Sequence, residues 1–204
     1  VEKGFIRFAT VGGFDDRVLL GQEVVVHGRR PLQGIIGSRP PHVLPPDERK
    51  KVIAREDLLI DVGLPAEEVE GLVRTGDLIT MYRPFVELRN GLVAGKAFDD
   101  RACVVAVLAC LDALRGMRHA WDVYAVATVQ EEVGLKGATT STFAITPTVG
   151  IALDVTFGAQ PGVSDAETVE VGKGPAIALG PNIHPVVFER LEGTAKEQEI
   201  PYQV

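Results

Sequence analysis

Apolar residues in the first 92 positions fall into short runs separated by glycine and proline, a pattern typical of a small β domain. One short helix is predicted over residues 66–73, with Glu67 and Glu68 near the positive end of its dipole. The pair Asn90-Gly91 predicts a two-residue hairpin turn. The predicted strands cover residues 4–10, 23–27, 32–38, 58–62, 77–82 and 85–88.

After residue 92 the pattern changes to alternating helices and strands. Helical spacing predicts helices over residues 101–114, 136–143 and about 185–198, the first of them capped by Asp100. Apolar runs predict buried strands over residues 122–130, 149–154 and 175–179. Such alternation predicts an α/β fold with a mostly parallel sheet covered by helices. The sequence therefore predicts two domains, residues 1–92 and residues 93–204.

Composition and charge limit the kinds of partner that this protein is expected to bind. A chain of 204 residues with 46% hydrophobic content can build one substantial core or two smaller ones. A net charge of −7 argues against a nucleic-acid partner, which usually needs a concentrated basic face. No apolar run approaches the roughly 18 residues of a membrane span, and no basic-then-apolar leader opens the chain. A cytoplasmic protein with no membrane partner is expected, and the charged run 47–51 is typical of a solvated loop.

The two cysteines fit the same interpretation. Cys103 and Cys110 lie seven residues apart on one predicted helix, too far apart for a disulfide. They are predicted to be reduced core residues.

Acidic residues stand where apolar runs end, at Asp99-Asp100, Glu131-Glu132 and Asp154. In an open α/β sheet such positions gather at the carboxyl ends of the strands, where ligands bind. Adjacent carboxylates leaving a strand point to opposite sides, so one can bind a metal while the other transfers a proton. Carboxylates that would repel one another are tolerated beside divalent cations, and two metals suit hydrolysis. Plain helix capping is the alternative.

Three motifs in order carry a specific resemblance. The stretches GKAFDDRACVVAVLA (residues 95–109), VQEEVGLKGA (129–138) and IALDVTFGAQPG (151–162) closely resemble the M42 family of dinuclear metallo-aminopeptidases, also called TET aminopeptidases. The similarity continues through LGQEVVVHG (20–28), SRPPHVLPPDERKK (38–51) and HPVVFERL (184–191), so it covers essentially the whole chain.

The resemblance implies a role for each acidic residue. Asp99 would bridge two divalent metal ions, zinc or cobalt, with Glu132 and Asp154 as terminal ligands. Glu131 would be the general base, taking a proton from the attacking water and passing it to the leaving amine. Asp100 would follow the bridging residue through a cis peptide bond and orient a ligand. Gly134 and Gly137 are expected to let the chain turn sharply beneath the metals.

The family's architecture is implied as well. It predicts that the β domain is an inserted, barrel-like domain that mediates dimerisation, and that dimers assemble into a hollow homo-oligomeric dodecamer acting on peptides. The family completes its metal site with two histidines from motifs that this sequence lacks. The chain is therefore expected to be the central portion of a longer enzyme and, alone, to hold metal weakly or not at all.

The chain's own histidines are predicted to be surface or capping residues. His27 ends an apolar run, His42 lies among prolines, His119 lies in a polar turn and His184 precedes a proline at a helix start.

Three functions of different classes stay open at this point. The leading one is a metal-dependent aminopeptidase. The second is a non-catalytic shell or scaffold subunit, in which the β domain's contacts are the function. The third is an endoglucanase-like glycoside hydrolase, which needs two carboxylates facing each other across about 5–9.5 Å. Adjacent Glu131 and Glu132, and a single tryptophan, Trp121, disfavour the third.

Overall fold

An antiparallel sheet of four strands dominates this structure, a computed structural model that describes residues 1–47 and 49–204. The strands are β1 (Glu23–His27), β2 (Pro31–Gly37), β3 (Leu59–Asp61) and β4 (Ile79–Met81). They lie in the order β3-β2-β1-β4, and β1 sits in full register with β2 from Glu23–Ile35 to His27–Pro31. Glu48, part of the charged run 47–51, lies outside the described residues.

The predicted hairpin is present. Strands β5 (Val86–Glu87) and β6 (Val93–Ala94) pair antiparallel, and the Leu92 amide donates to the Arg89 carbonyl at 3.3 Å. Asn90 and Gly91 both have positive φ, 62° and 73°. This is the geometry of a type I′ turn, whose twist matches the flanking strands and which Asn-Gly favours.

Four α-helices complete the regular structure: α1 (Ala66–Leu72), α2 (Phe98–Leu114), α3 (Lys136–Ile145) and α4 (Pro185–Glu197). Each lies where the sequence predicts one. In α2, Asp99 and Asp100 have non-helical backbone angles, so the regular helix begins after them. The Asp100 carboxylate accepts a hydrogen bond from the Cys103 amide at 3.3 Å, which confirms the predicted cap. Short 3-10 turns occur at Asp16–Val18, Pro41–Val43, Arg55–Asp57, Arg89–Gly91, Glu131–Val133 and Asp165–Glu167.

The chain forms two compact units, Val1–Gly150 and Ile151–Val204. The first contains both sheets and helices α1 to α3, and the second contains α4. With sheets and helices together, the fold is mixed α/β. The predicted domain boundary at residue 92 stays a prediction.

The hydrophobic core lies under the four-stranded sheet. Inward-facing residues of β1, β2 and β3 pack with Val69 of α1, and Ile60 is fully buried at their centre. Alternation along β2 is clear, since Ile36 is 3% exposed and its neighbour Ile35 is 48% exposed. The core cluster comprises Ile6, Leu19, Val24, Val26, Leu32, Ile36, Leu58, Ile60 and Val69.

Several strand predictions are wrong for this chain. Residues 4–10 form no strand and instead make an isolated bridge in which Ile6 pairs with Ile60. Residues 122–130, 149–154 and 175–179 form no strand within the described part of the chain. A strand needs a neighbouring backbone to complete its ladder, and an apolar run specifies burial without supplying that partner.

Two other expectations are resolved by the structure. Cys103 and Cys110 form no disulfide, as predicted, but Cys110 is exposed, so its assignment to the core is wrong. Cys110 is exposed because it lies at an outward-facing position of α2.

Among the described residues, no helix is long and apolar enough to cross a bilayer. The cytoplasmic location stays a prediction.

The two faces of β2 give a matched test of where the core lies. Ile36→Ala should lower the free energy of unfolding by about 2–5 kcal/mol, because it leaves a cavity among buried side chains. Ile35→Ala, the same change on the exposed face, should cost about 0.5 kcal/mol or less. Urea denaturation of this chain measures both. Equal losses would contradict the assigned inward face of β2.

Candidate metal centre

Glu131 and Glu132 lie in a tightly closed turn formed by residues 129–137, here called the carboxylate turn. The Gly137 amide donates to the Val129 carbonyl at 2.9 Å, and the Gly134 and Leu135 amides both donate to the Glu131 carbonyl at 3.0 Å. Gln130 and Leu135 have left-handed backbone angles, with φ of 57° and 56°. The turn thus reverses the chain within nine residues and holds both glutamates at its tip.

The sequence predicts that the two carboxylates diverge from the end of a strand, and the structure shows that this prediction is wrong. Glu131 and Glu132 begin a 3-10 turn and do not end a strand. Successive side chains on a 3-10 turn are separated by about 120°, not by the half-turn of a strand. The two side chains still differ in their environment: Glu131 is half-buried and Glu132 is exposed.

Gly137 is where the carboxylate turn meets the first turn of α3. A methyl group placed on Gly137 would lie 2.4 Å from the Val129 nitrogen and 2.5 Å from its oxygen. Only a residue without a side chain permits this approach of two backbones. Together with Gly134, whose φ is 111°, it makes the sharp turn that the sequence predicts.

Asp99 and Asp100 occupy the irregular start of α2. The peptide bond between them is cis, as the family resemblance implies. Asp99 is exposed, whereas Asp100 is half-buried and its carboxylate faces the helix amides as a cap. Asp100 is therefore already committed to a hydrogen bond within the protein, and Asp99 is the one of the pair that faces solvent.

Asp154 belongs to the second unit, where it is exposed. Its Oδ1 accepts a hydrogen bond from the Val155 amide at 2.8 Å. That contact fixes the carboxylate and leaves Oδ2 for a further ligand.

The donor set has the chemistry that divalent cations need. Asp99, Glu132 and Asp154 are exposed carboxylates, and in the part of the chain that the structure describes no other side chain donates a hydrogen bond to Asp99 or Glu132. Carboxylate oxygen is an accepted ligand of zinc and similar metals. Within residues 1–47 and 49–204, however, no three His, Cys, Asp or Glu side chains are gathered closely enough to hold a metal.

The four histidines are all exposed, as predicted. The His27 ring bonds with the Thr80 hydroxyl at 2.9 Å, and a His119 ring nitrogen lies 2.8 Å from the Trp121 carbonyl. His184 is the residue before α4.

The sequence pattern does not reveal that the segment around Gly12 lies beside the carboxylate turn. A methyl group placed on Gly12 would lie 3.6 Å from the Glu132 carbonyl oxygen and 3.8 Å from a methyl carbon of Val133. The Gly12-Gly13 pair, flanked by Val11 and Phe14, is the only local signal that could have indicated this contact. Nothing in the spacing of those residues places them against a turn 120 positions away.

Comparison with known proteins explains why the acidic motifs of this chain occur together in this order. The model of the M42 glutamyl aminopeptidase family matches residues 1–204. The chain belongs to the M42 family. It is 37% identical to the lysyl aminopeptidase of Pyrococcus furiosus over 98% of this chain and 59% of that protein.

Solved structures agree. A TET aminopeptidase from a marine sediment Thaumarchaeota archaeon superposes with a TM-score of 0.89 at 39% identity, covering all of this chain and 60% of that one. The TET1 peptidase of Pyrococcus horikoshii, which can assemble into a tetrahedron or a large octahedral shell, gives a TM-score of 0.83 at 33% identity, covering all of this M42 chain and 62% of its own. The chain thus spans about 60% of the length of the relatives it matches.

The close approach at Gly137 yields a direct test of the carboxylate turn. Gly137→Ala should destabilise the fold by about 1–3 kcal/mol, because the added methyl must push the backbones of α3 and Val129 apart. Amide hydrogen exchange at Leu135 and residue 137 should accelerate as their hydrogen bonds open. Gly193→Ala in α4, where a methyl meets nothing within 4 Å, is the control and should be neutral or slightly stabilising. Unchanged exchange in Gly137→Ala would show that the turn is closed in some other way.

Proposed function

We propose that the protein containing this chain is a metal-dependent aminopeptidase that removes residues from the amino ends of peptides. The observation that carries the proposal is the carboxylate turn, with Glu131 half-buried and Glu132 exposed, in a chain that matches the M42 family along its whole length. Relatives named as aminopeptidases support the reaction class.

The carboxylates take separate roles in this proposal. Asp99 would hold both of two divalent metal ions, zinc or cobalt, and Glu132 and Asp154 would each hold one of them. When bound, the metals polarise the scissile carbonyl and activate water. These three residues supply oxygen ligands, and the histidines that complete an M42 site are proposed to come from outside this chain.

Glu131 is the proposed general base. Its side chain is half-buried beside the exposed Glu132, so it lies next to the proposed metal ligand while remaining partly shielded from water. Its carboxylate takes the proton that the attacking water loses as the new C–O bond forms. The same carboxyl group then gives that proton to the amine nitrogen as the C–N bond breaks, which leaves Glu131 ionised for the next cycle.

The position of the two glutamates argues against glycoside hydrolysis. Glu131 and Glu132 are consecutive residues of one 3-10 turn. A glycosidase needs two carboxyl groups on opposite sides of a sugar, about 5–9.5 Å apart with the substrate between them. Side chains that leave neighbouring positions of one turn do not enclose a sugar ring.

The finer architecture belongs to the same proposal. Residues 1–92 form an inserted β domain, which the concentration of the hydrophobic core between Ile6 and Val69 supports. The high structural similarity to TET aminopeptidases supports this assignment.

Substitution of Glu131 separates base catalysis from metal binding. In the complete protein, Glu131→Gln should lower kcat by about 10²–10⁴-fold, because the amide keeps the shape but cannot take a proton. Metal content measured by atomic spectroscopy should stay at the wild-type level. Glu132→Ala and Asp154→Ala should lose metal and activity together.

The matched control is Glu189→Gln on the exposed surface of α4, which should leave both readouts unchanged. Peptide hydrolysis at the wild-type rate by Glu131→Gln would refute the assigned base. Full metal content in Glu132→Ala would refute its role as a ligand.

We further propose that the protein forms homodimers that assemble into a dodecameric shell. A similar TET1 structure with a dodecamer in the asymmetric unit supports this, as does the tetrahedral shell that the Pyrococcus horikoshii TET1 peptidase can form. Mass photometry of the complete protein at micromolar concentration should show particles of about twelve subunits. Monomers alone at that concentration would contradict the proposal.

A further inference from the structure

The segment of residues 10–16, TVGGFDD, lies beside the carboxylate turn and is here called the Gly-Gly loop. Its residue Gly12 faces Glu132 and Val133: a methyl group placed on Gly12 would lie 3.6 Å from the Glu132 carbonyl oxygen and 3.8 Å from a Val133 methyl carbon, which is ordinary van der Waals spacing. The φ of Gly12 is 81°, a conformation that favours glycine. The loop therefore lies against the backbone of the carboxylate turn at Glu132, the proposed metal ligand.

A single side chain, that of Arg55, holds both ends of this loop. Arg55 Nη1 donates to the Thr10 hydroxyl at 2.6 Å, and Arg55 Nε donates to Asp16 Oδ1 at 2.8 Å. Arg55 Nη2 also lies 2.7 Å from the same oxygen, and both side chains of the ion pair are only 31% exposed. The planar guanidinium can make these bonds together, which a lysine ammonium at one point in space cannot.

A second contact stiffens the end of the loop. Asp15 accepts a hydrogen bond from the Arg17 amide at 3.0 Å and pairs with its guanidinium. These bonds, first the side-chain ones from Arg17 and then that from its amide, lower the pKa of Asp15 to about 2. The loop is thus held by a hydrogen bond at Thr10 and by ion pairs at Asp15 and Asp16.

The middle of the loop, by contrast, has backbone N–H and C=O groups that are available for hydrogen bonds. In the described part of the chain, residues 11–14 make no backbone hydrogen bond with another residue. A methyl group on Gly13 would meet nothing within 4 Å. Peptide N–H and C=O groups without partners, in a loop whose two ends are anchored, are suited to pair with the main chain of an extended peptide.

We propose that the Gly-Gly loop binds the main chain of the peptide substrate beside Glu132, and that Arg55 is the positioning residue that holds it there. This inference rests on the proposed aminopeptidase function and assigns part of its substrate site. Backbone recognition is independent of the substrate's side chains, so the loop contributes affinity for peptides in general. Because Gly12 and Gly13 have no side chains, the peptide has room to approach the backbone of the loop.

Three variants of the complete, metal-loaded protein, at two independent positions, test the proposal. Gly13→Leu places a side chain in open space, so the fold should persist while KM for a peptide substrate rises about tenfold, with kcat changed by less than about threefold. Arg55→Ala should raise KM by a similar factor because the loop is no longer held, and Arg55→Lys should recover little of it. Metal content should equal that of the wild type in all three.

Matched controls separate these effects from general damage. Gly71 lies in α1 with open space around it, so Gly71→Ala should leave KM unchanged. Arg39 pairs with Asp57 at 3.4 Å on the surface without contacting the loop, so Arg39→Lys should also be neutral. Thermal denaturation of each variant checks folding.

The outcomes distinguish this inference from the function on which it rests. If the wild type cleaves peptides and Gly13→Leu keeps the wild-type KM, the loop is not part of the substrate site. If the Arg55 variants lose metal, the loop supports Glu132 and does not bind peptide, which also overturns the inference. A metal-loaded wild type that cleaves no peptide at all would refute the proposed function itself.

Discussion

The paired hydrogen bonds between Ile6 and Ile60, each 2.9 Å long, organise much of the first unit. They join the opening segment of the chain to β3 at the centre of the hydrophobic core, where Ile60 is fully buried and Ile6 nearly so. The same pairing brings Thr10 and Asp16, which follow Ile6, close to Arg55, which precedes β3. A bridge made by two backbone groups thereby determines where a loop beside the carboxylate turn is held.

The carboxylate turn depends on a different constraint, the closeness of two backbones. Gly137 contacts the main chain at Val129, and its amide closes the turn with a 2.9 Å hydrogen bond. Left-handed angles at Gln130 and Leu135 cost conformational energy that this closure offsets. The turn separates a half-buried carboxylate from an exposed one without requiring the strand that the sequence suggested.

Local chemistry was sufficient for much of the fold. The Asn90-Gly91 turn and the Asp100 cap were predictable because each depends on residues within a few positions of one another. The bounds of β1 followed from a short apolar run between the glycines Gly21 and Gly28. The strands predicted at residues 4–10 and 122–130 failed because ladder formation depends on a partner that the run itself does not encode.

The sequence by itself determined the helices, the hairpin, the identity of the acidic residues and, through three ordered motifs, membership of the M42 family. Only the tertiary structure decided that Glu131 is half-buried and Glu132 exposed, that Gly12 lies against Glu132, and that Arg55 bonds to both Thr10 and Asp16. The physical reason is sequence separation: Arg55 lies 45 positions from Thr10. Contacts of that range arise from how the core packs, and local patterns of polarity carry no record of them.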